Sequence, residues 1–357
     1  MHLDLINILP DRTDSLTRNR KRAIQMNKSY LFGALLTMAI THVSQAGTIS
    51  LSTGTENFNG LLLEGSGTPN VGVIFFHGRG QTPDGDVVRH LRKSLNTDGY
   101  TTLSIDNPVP SSGTSSFSNY LSDESVIEAQ VFSYFNAAVD SLVASNNNID
   151  TIVIGGFSLG SRFATATAAA WEQGLLDVNS NVTLAGLLGV GMYSSIGTTA
   201  ASTSSNINVY DTINNLGLIS SIPVLDMYGN LDSSAANFAA DRMNAFAGDD
   251  LSYTQAALGC PGFNDTSYFT RNQGVAVSYT ENRCHQLRNG YLTESDAINQ
   301  TNADVVLRGS ADAPLESTAS NWMANNVPLT AVPVPAAVWL FGSGLLGLIG
   351  FARRKKA

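Results

Sequence analysis

The chain has 357 residues, of which 43% are hydrophobic and 14% are charged, so it can bury a large core and is not an intrinsically disordered protein. Between residues 47 and 331 there are 26 acidic and 10 basic residues, a net charge of −16. A field of this sign opposes phosphate backbones and anionic lipid surfaces, which argues against nucleic acid as a partner.

A secretory signal is predicted near the N-terminus. A basic residue precedes the apolar stretch 31–40, and small residues follow it up to Ala46. This order of parts is typical of a signal peptide cleaved after that alanine, so residues 1–46 are predicted to be a leader and signal. The leader is long, which makes Met26 an alternative start to Met1. A buried core helix is the other interpretation of the apolar stretch.

The C-terminal segment 331–357 reads as a second targeting signal. The motif VPVPA, which ends at Ala336, is followed by an uncharged stretch up to Ala352 and then by a basic tail, RRKK. The stretch is close to the length of a membrane-spanning helix, and the positive tail is expected to stay cytoplasmic. This segment resembles the PEP-CTERM class of bacterial sorting signals, in its Val-Pro-Leu-Pro-Ala variant. The resemblance implies processing by an exosortase in a Gram-negative envelope and delivery to the cell surface or extracellular matrix; a plain membrane anchor is the alternative.

Strand-like and helix-like patterns alternate from residue 71 to residue 280. This alternation predicts an α/β fold with a mostly parallel sheet and helices on both faces, in one domain from about 48 to 328. Two irregular segments, 194–221 and 259–273, could be cap or lid insertions. The predicted strands are 71–76, 100–105, 151–154, 182–188, 222–228 and 275–279, and the predicted helices are 87–95, 123–145 and 161–171.

The sequence GFSLG, residues 156–160, places Ser158 between a predicted strand and a predicted helix. A sharp strand-to-helix turn needs small residues on both sides of its central residue, and Gly156 and Gly160 supply them. The unpaired N–H groups at the start of the helix would favour a developing oxyanion. Ser158 is therefore the predicted nucleophile.

A serine nucleophile needs a base, and histidine is the side chain best suited to that role near neutral pH. His285, in a loop after the last predicted strand, is the candidate that remains by elimination, with a surface histidine as the alternative reading. The acid that orients the base should lie between the two in sequence. Asp232, in the turn after a strand, is favoured, and Asp226, within that strand, is the second choice. The other histidines are His2, His42, His77 and His90.

Two backbone N–H groups are expected to form an oxyanion hole. Leu159, which follows the nucleophile, is predicted to supply one of them. The other is predicted to come from the loop HGRG after the first strong strand, with the Arg79 amide favoured and Gly78 next. His77 is expected to brace this loop.

The motifs FFHGRG, GGFSLG and GNLD, followed by a late histidine, resemble the α/β-hydrolase family and most closely its dienelactone-hydrolase and carboxylesterase-like branch. The resemblance implies a serine hydrolase that acts on a small-molecule ester or related acyl compound through an acyl-enzyme, without a cofactor. A non-catalytic surface protein on the same scaffold and an acyltransferase with the same triad are the alternatives. Metal catalysis is not predicted, because the sequence contains no HExxH motif, CxxC motif or carboxylate cluster with ligand spacing.

Cys260 and Cys284 are the only two cysteines. An even number of cysteines in a chain destined for an oxidising compartment predicts a disulfide bond between them.

Overall fold

The computed structural model describes residues 46–66, 69–113, 116–179, 181–194, 207–229, 232–249, 252–258 and 314–329. They fall in one of the two units into which the chain divides, Gln45–Ala357. Most of the predicted signal peptide, the C-terminal segment, the predicted strand 275–279 and both cysteines lie outside the described residues. Within those residues, every helix is too short or too polar to span a membrane.

In the described part of the chain, eight strands form one sheet in the order β1-β2-β4-β3-β5-β6-β7-β8. The strand β1 is antiparallel to β2, and β2 is antiparallel to β4, whereas the six strands from β4 to β8 in this order are parallel to one another. The carboxyl ends of these parallel strands therefore all lie at the same edge of the sheet. The strands are β1 (Gly47–Ser52), β2 (Asn57–Leu63), β3 (Val71–Phe76), β4 (Thr101–Ile105), β5 (Thr151–Phe157), β6 (Thr183–Val190), β7 (Val224–Gly229) and β8 (Tyr253–Leu258).

The strand β3 has no polar side chain along its whole length, and all six of its residues are buried. In β3, Ile74 and Phe76 belong to one hydrophobic core, while Val73 and Phe75 belong to the other. Side chains alternate between the faces of a strand, so a strand that is buried on both sides reads as a continuous apolar run.

Helices cover both faces of the sheet. Apolar residues of α3 and α4 pack into one core, and those of α1 and α8 pack into the other. The helices are α1 (Asp86–Thr97), α2 (Phe117–Ser122), α3 (Glu124–Ser145), α4 (Leu159–Glu172), α5 (Thr212–Leu216), α6 (Ser233–Ala236), α7 (Ala239–Ala245) and α8 (Pro314–Asn326).

The predicted alternation of strands and helices, and with it the fold class, is confirmed. The strand β5 continues three residues beyond its predicted end at Ile154, and α4 begins two residues before Ser161. Ser158 is therefore the only residue between them. The strands β1, β2 and β8 and the helices α5, α6, α7 and α8 were not predicted, and the loop predicted over 107–119 gives way to α2 at Phe117.

Candidate active site

Ser158 has a strained backbone conformation. Its φ of 55° and ψ of −115° make it the only non-glycine residue with a positive φ in the part of the chain that the structure describes. Such a conformation costs on the order of 1–3 kcal/mol and persists only where the surroundings enforce it. It is the geometry of a nucleophile that is held on a sharp turn between a strand and a helix.

The two glycines around Ser158 are required by close backbone contacts. A Cβ on Gly156 would lie 2.1 Å from the carbonyl oxygen of Gly160, and a Cβ on Gly160 would lie 2.2 Å from the carbonyl oxygen of Phe76. Neither position can hold a larger side chain without a backbone shift. The spacing of glycines that the sequence shows therefore has a steric cause.

Hydrogen bonds fix the backbone of Ser158 on both sides. Its N–H donates to the carbonyl of Val190 at the end of β6, at 2.9 Å. Its own carbonyl accepts from the N–H of Ser161 at 3.1 Å and from the hydroxyl of Ser161 at 2.6 Å. The residue is 8% exposed. Ser158 is thus held at the carboxyl edge of the sheet, where ligands gather in folds of this kind.

His77 braces the loop after β3, as the sequence analysis expected. Its Nδ1–H donates to the carbonyl of Gly78 at 2.8 Å, and its Nε2 accepts from the backbone N–H of Asn107 at 3.1 Å. The side-chain amide of Asn107 also donates to the His77 carbonyl, at 2.6 Å. Burial lowers the pKa of His77, and the hydrogen bond to Gly78 opposes that effect only in part. Both ring nitrogens of the neutral imidazole are therefore engaged in holding the loop.

The same loop bears on the candidate oxyanion hole. The N–H of Gly78 donates to the side-chain oxygen of Gln81 at 3.3 Å, so this amide already has an acceptor. Arg79 follows it in an exposed turn, and Leu159 is the first residue of α4, whose leading N–H groups have no acceptor within the helix. The amides of Leu159 and Arg79, with Gly78 as the second choice, stay predictions for the oxyanion hole.

Asp232 lies in the turn that follows β7, at the same edge of the sheet as Ser158. It is 1% exposed. Its N–H donates to the carbonyl of Gly229 at 3.0 Å, and its carbonyl accepts from the N–H groups of Ala235 and Ala236. The backbone of Asp232 is therefore fixed at the start of α6, beyond the carboxyl end of β7, and its role as the acid stays a prediction.

Asp226, the second choice for the acid, is instead part of a buried ion pair. Its carboxylate accepts from Nε and Nη2 of Arg242 at 2.9 and 3.1 Å. The hydroxyl of Tyr253 and the side-chain amide of Gln255 donate to it at 3.1 and 3.0 Å. Both members of the pair are fully buried. A carboxylate with four donors in the interior of the sheet is suited to hold β7, β8 and α7 together.

The remaining predicted site residues are not described. His285, Cys260 and Cys284 lie outside the described residues, so the base and the disulfide bond stay predictions. Among the described residues, no group of histidine, cysteine, aspartate and glutamate side chains could hold a metal ion.

Comparisons with families and with curated proteins find no match. Among solved structures, the chain is similar to a dienelactone hydrolase from Anabaena variabilis, with 15% identity over 80% of this chain and 99% of that one and a TM-score of 0.49. It is similar to an esterase domain from Rhodothermus marinus, with 14% identity over 79% and 99% of the two chains and a TM-score of 0.43. It is also similar to an α/β serine hydrolase without a lid from Xanthomonas campestris, with 14% identity over 60% and 84% and a TM-score of 0.41.

The fold itself is defined by the order of its strands and by the placement of one residue. The strands are parallel except at the β1 end of the sheet, where two pairs are antiparallel. A serine with a strained backbone lies between β5 and α4, near the middle of this strand order. These features give the chain the α/β-hydrolase fold.

Proposed function

We propose that the protein is an exported serine hydrolase that acts on a carboxylic ester or a related acyl compound. The observation that carries this proposal is the backbone of Ser158, which is strained, enclosed by two obligatory glycines and placed at the edge of the sheet where ligands bind. A serine in an ordinary polar turn would need none of these features.

In the proposed reaction, the Ser158 hydroxyl attacks the acyl carbon and gives its proton to His285. The oxyanion of the tetrahedral intermediate is stabilised by the N–H groups of Leu159 and Arg79, and Asp232 holds the histidine in the tautomer that can accept the proton. The alcohol leaves with the proton from His285 and an acyl-enzyme remains. Water, deprotonated by the same histidine, then releases the acid and restores Ser158.

The proposal includes export and surface delivery. It rests on the predicted signal over 1–46 and on the sorting segment 331–357, which resembles substrates of an exosortase. A disulfide bond between Cys260 and Cys284 suits the same compartment. Mass measurement of the mature protein under non-reducing conditions tests the removal of the signal peptide and the disulfide bond. An intact N-terminal leader would contradict export, and two free thiols would contradict the disulfide bond.

The catalytic proposal is tested by Ser158→Ala with p-nitrophenyl butyrate as substrate. Turnover and labelling by a fluorophosphonate probe should both be lost, while the far-UV circular dichroism spectrum is unchanged. Ser133→Ala is the matched control, because Ser133 lies on α3 and its hydroxyl donates to the carbonyl of Gln130 in the same helix. Undiminished turnover in the Ser158 variant would refute the proposal. Probe labelling also separates an enzyme from a non-catalytic protein on the same scaffold.

A further inference from the structure

The side chain of Ser161 is buried and is bonded to the backbone of the proposed nucleophile. Its hydroxyl donates to the carbonyl of Ser158 at 2.6 Å, and its N–H donates to the same carbonyl at 3.1 Å. The residue is 0% exposed. Serine hydroxyls often bond to a backbone carbonyl one turn earlier. Whether this one does more than stabilise α4 therefore depends on which carbonyl it holds.

Ser161 does not cap α4 in the usual way. It is the third residue of the helix, a position whose side chain commonly accepts from the N–H of the cap residue. Here the cap residue is Ser158, and its N–H donates instead to the carbonyl of Val190 at 2.9 Å. The Ser161 hydroxyl therefore acts as a donor, and the group that it holds is the carbonyl of Ser158.

That carbonyl belongs to the peptide unit that joins Ser158 to Leu159. No cis peptide bond occurs in the part of the chain that the structure describes, so this unit is planar and trans. In a trans unit the C=O and the N–H point in opposite directions. A bond that fixes the carbonyl of Ser158 therefore also fixes the direction of the Leu159 N–H, a predicted donor of the oxyanion hole.

This peptide unit needs support because the torsion that orients it is unusual. Ser158 has a φ of 55° and a ψ of −115°. A residue with this φ ordinarily has a ψ of about +47°, and ψ sets the plane of the following peptide unit. The backbone of Ser161 is well placed to hold it, since a Cβ on Gly156 would lie only 2.6 Å from the Ser161 nitrogen. The first turn of α4 is thus packed directly against β5.

The same hydrogen bond also affects the strength of the Leu159 donor. A bond to the carbonyl of a peptide unit polarises that unit and makes its N–H a better donor. The bond from Ser161 is short and buried, and a low local dielectric strengthens such polarisation. The Ser161 hydroxyl is therefore suited both to aim the Leu159 N–H and to strengthen it.

We propose that Ser161 is a positioning residue for the oxyanion hole and holds the Leu159 N–H toward the oxyanion through the peptide unit shared by Ser158 and Leu159. It acts through that N–H and not by contact with the substrate. This inference rests on the proposed function and adds to the triad a residue whose loss should affect the transition state more than the binding of the ester.

Ser161→Ala tests the proposal with p-nitrophenyl butyrate as substrate. Removal of an oxyanion-hole donor costs roughly 10²–10³ in kcat, so misalignment of one should cost roughly 10–100-fold. KM should change by less than about twofold, because the interaction is made in the transition state. Ser161→Cys keeps the size of the side chain but offers only a weak donor, so it should behave in the same way. Equal kcat in the unaltered and Ser161→Ala proteins would overturn the proposal.

A sulfur-for-oxygen substrate separates this role from a purely structural one. O-p-Nitrophenyl thionobutyrate develops its negative charge on sulfur, a weak acceptor, so it gains less from the oxyanion hole. The ratio of kcat/KM for the ester to that for the thionoester should fall at least about fivefold in Ser161→Ala. Ser133→Ala is the matched control, since the Ser133 hydroxyl likewise donates to the carbonyl three residues earlier, on α3. An unchanged ratio in Ser161→Ala, or an equal fall in both variants, would overturn the proposal.

NMR of the Leu159 amide separates this inference from the proposed function. Carbon-13 at the serine carbonyls and nitrogen-15 in leucine restrict the spectrum to Ser–Leu peptide units, and Leu159→Met identifies the resonance by its loss. In Ser161→Ala the Leu159 amide proton should move to higher field, because its peptide unit is less polarised. An unmoved resonance would overturn the inference. A moved resonance in a protein that hydrolyses no ester would refute the proposed hydrolase and support the control of the Leu159 N–H by Ser161.

Discussion

The α-carbon of Gly160 lies so close to the carbonyl oxygen of Phe76 that a Cβ added to the glycine would be 2.2 Å from that oxygen. The helix α4 therefore meets the end of β3 backbone to backbone, and this contact holds the turn that carries Ser158. Gly160→Ala should lower the free energy of unfolding by about 2–4 kcal/mol and reduce ester turnover in the fraction that folds. Urea denaturation with activity measured on the same samples would test this expectation.

The matched control is Gly47→Ala. An added Cβ at Gly47 has nothing within 4 Å, and Gly47 is not among the residues with a positive φ. This variant should keep the stability and the turnover of the unaltered protein. An equally small effect of Gly160→Ala would mean that the turn can relax, contrary to the steric explanation.

The strain at Ser158 predicts an unusual order of stability among inactive variants. Glycine adopts a positive φ without steric cost, whereas alanine does not. Ser158→Gly should therefore be more stable than Ser158→Ala by about 1–2 kcal/mol, although both variants lose turnover. Thermal unfolding of the two proteins side by side provides the measurement. If the alanine variant is the more stable one, the strain at this residue is not real.

The sequence was sufficient to predict the core of the fold, because its strands are buried on both faces and read as apolar runs. It was also sufficient to predict the strand-to-helix turn at Ser158, because the glycines around it are imposed by backbone contacts that any chain with this turn must satisfy. The edge strands β1 and β2 were missed because β1 has polar residues at three of its six positions and β2 is interrupted by asparagine and glycine.

Side-chain networks were beyond sequence reasoning. The distinction between Asp226 and Asp232 depends on Arg242, Tyr253 and Gln255, which converge on Asp226 from two other elements. A signal for this distinction existed, since Asp226 lies within an apolar strand and a buried carboxylate needs a partner.

The two aspartates should respond differently to the same substitution. Asp226→Asn breaks a buried ion pair and should lower the free energy of unfolding by about 3–5 kcal/mol. Asp232→Asn should lower kcat by roughly 10³–10⁴, the scale seen when a triad histidine loses its orienting acid, with a smaller loss of stability. Denaturation curves and ester kinetics on both variants test this contrast. If the folded Asp232→Asn protein keeps its turnover and the Asp226→Asn protein loses it, then Asp226 is the acid of the triad and Asp232 is not.

The buried imidazole of His77 should make stability depend on pH. Burial lowers its pKa in the folded chain, while the unfolded chain takes up a proton near the ordinary value of about 6.5. Between these two pKa values the unfolded state binds more protons, so the free energy of unfolding decreases as the pH falls below about 6.5. Above that value the contribution of the neutral ring is fully present.

His77→Leu should remove this component. The variant has no side-chain acceptor for the Asn107 N–H, which costs on the order of 1–3 kcal/mol at pH 8, and its deficit relative to the unaltered protein should shrink as the pH is lowered toward 5. Taking the difference between the two proteins at each pH cancels the titration of groups outside the site. Nitrogen-15 NMR of labelled histidine should independently show a neutral ring with the proton on Nδ1. A constant deficit between pH 5 and 8, or a ring that titrates near pH 6.5, would contradict the structural role of this histidine.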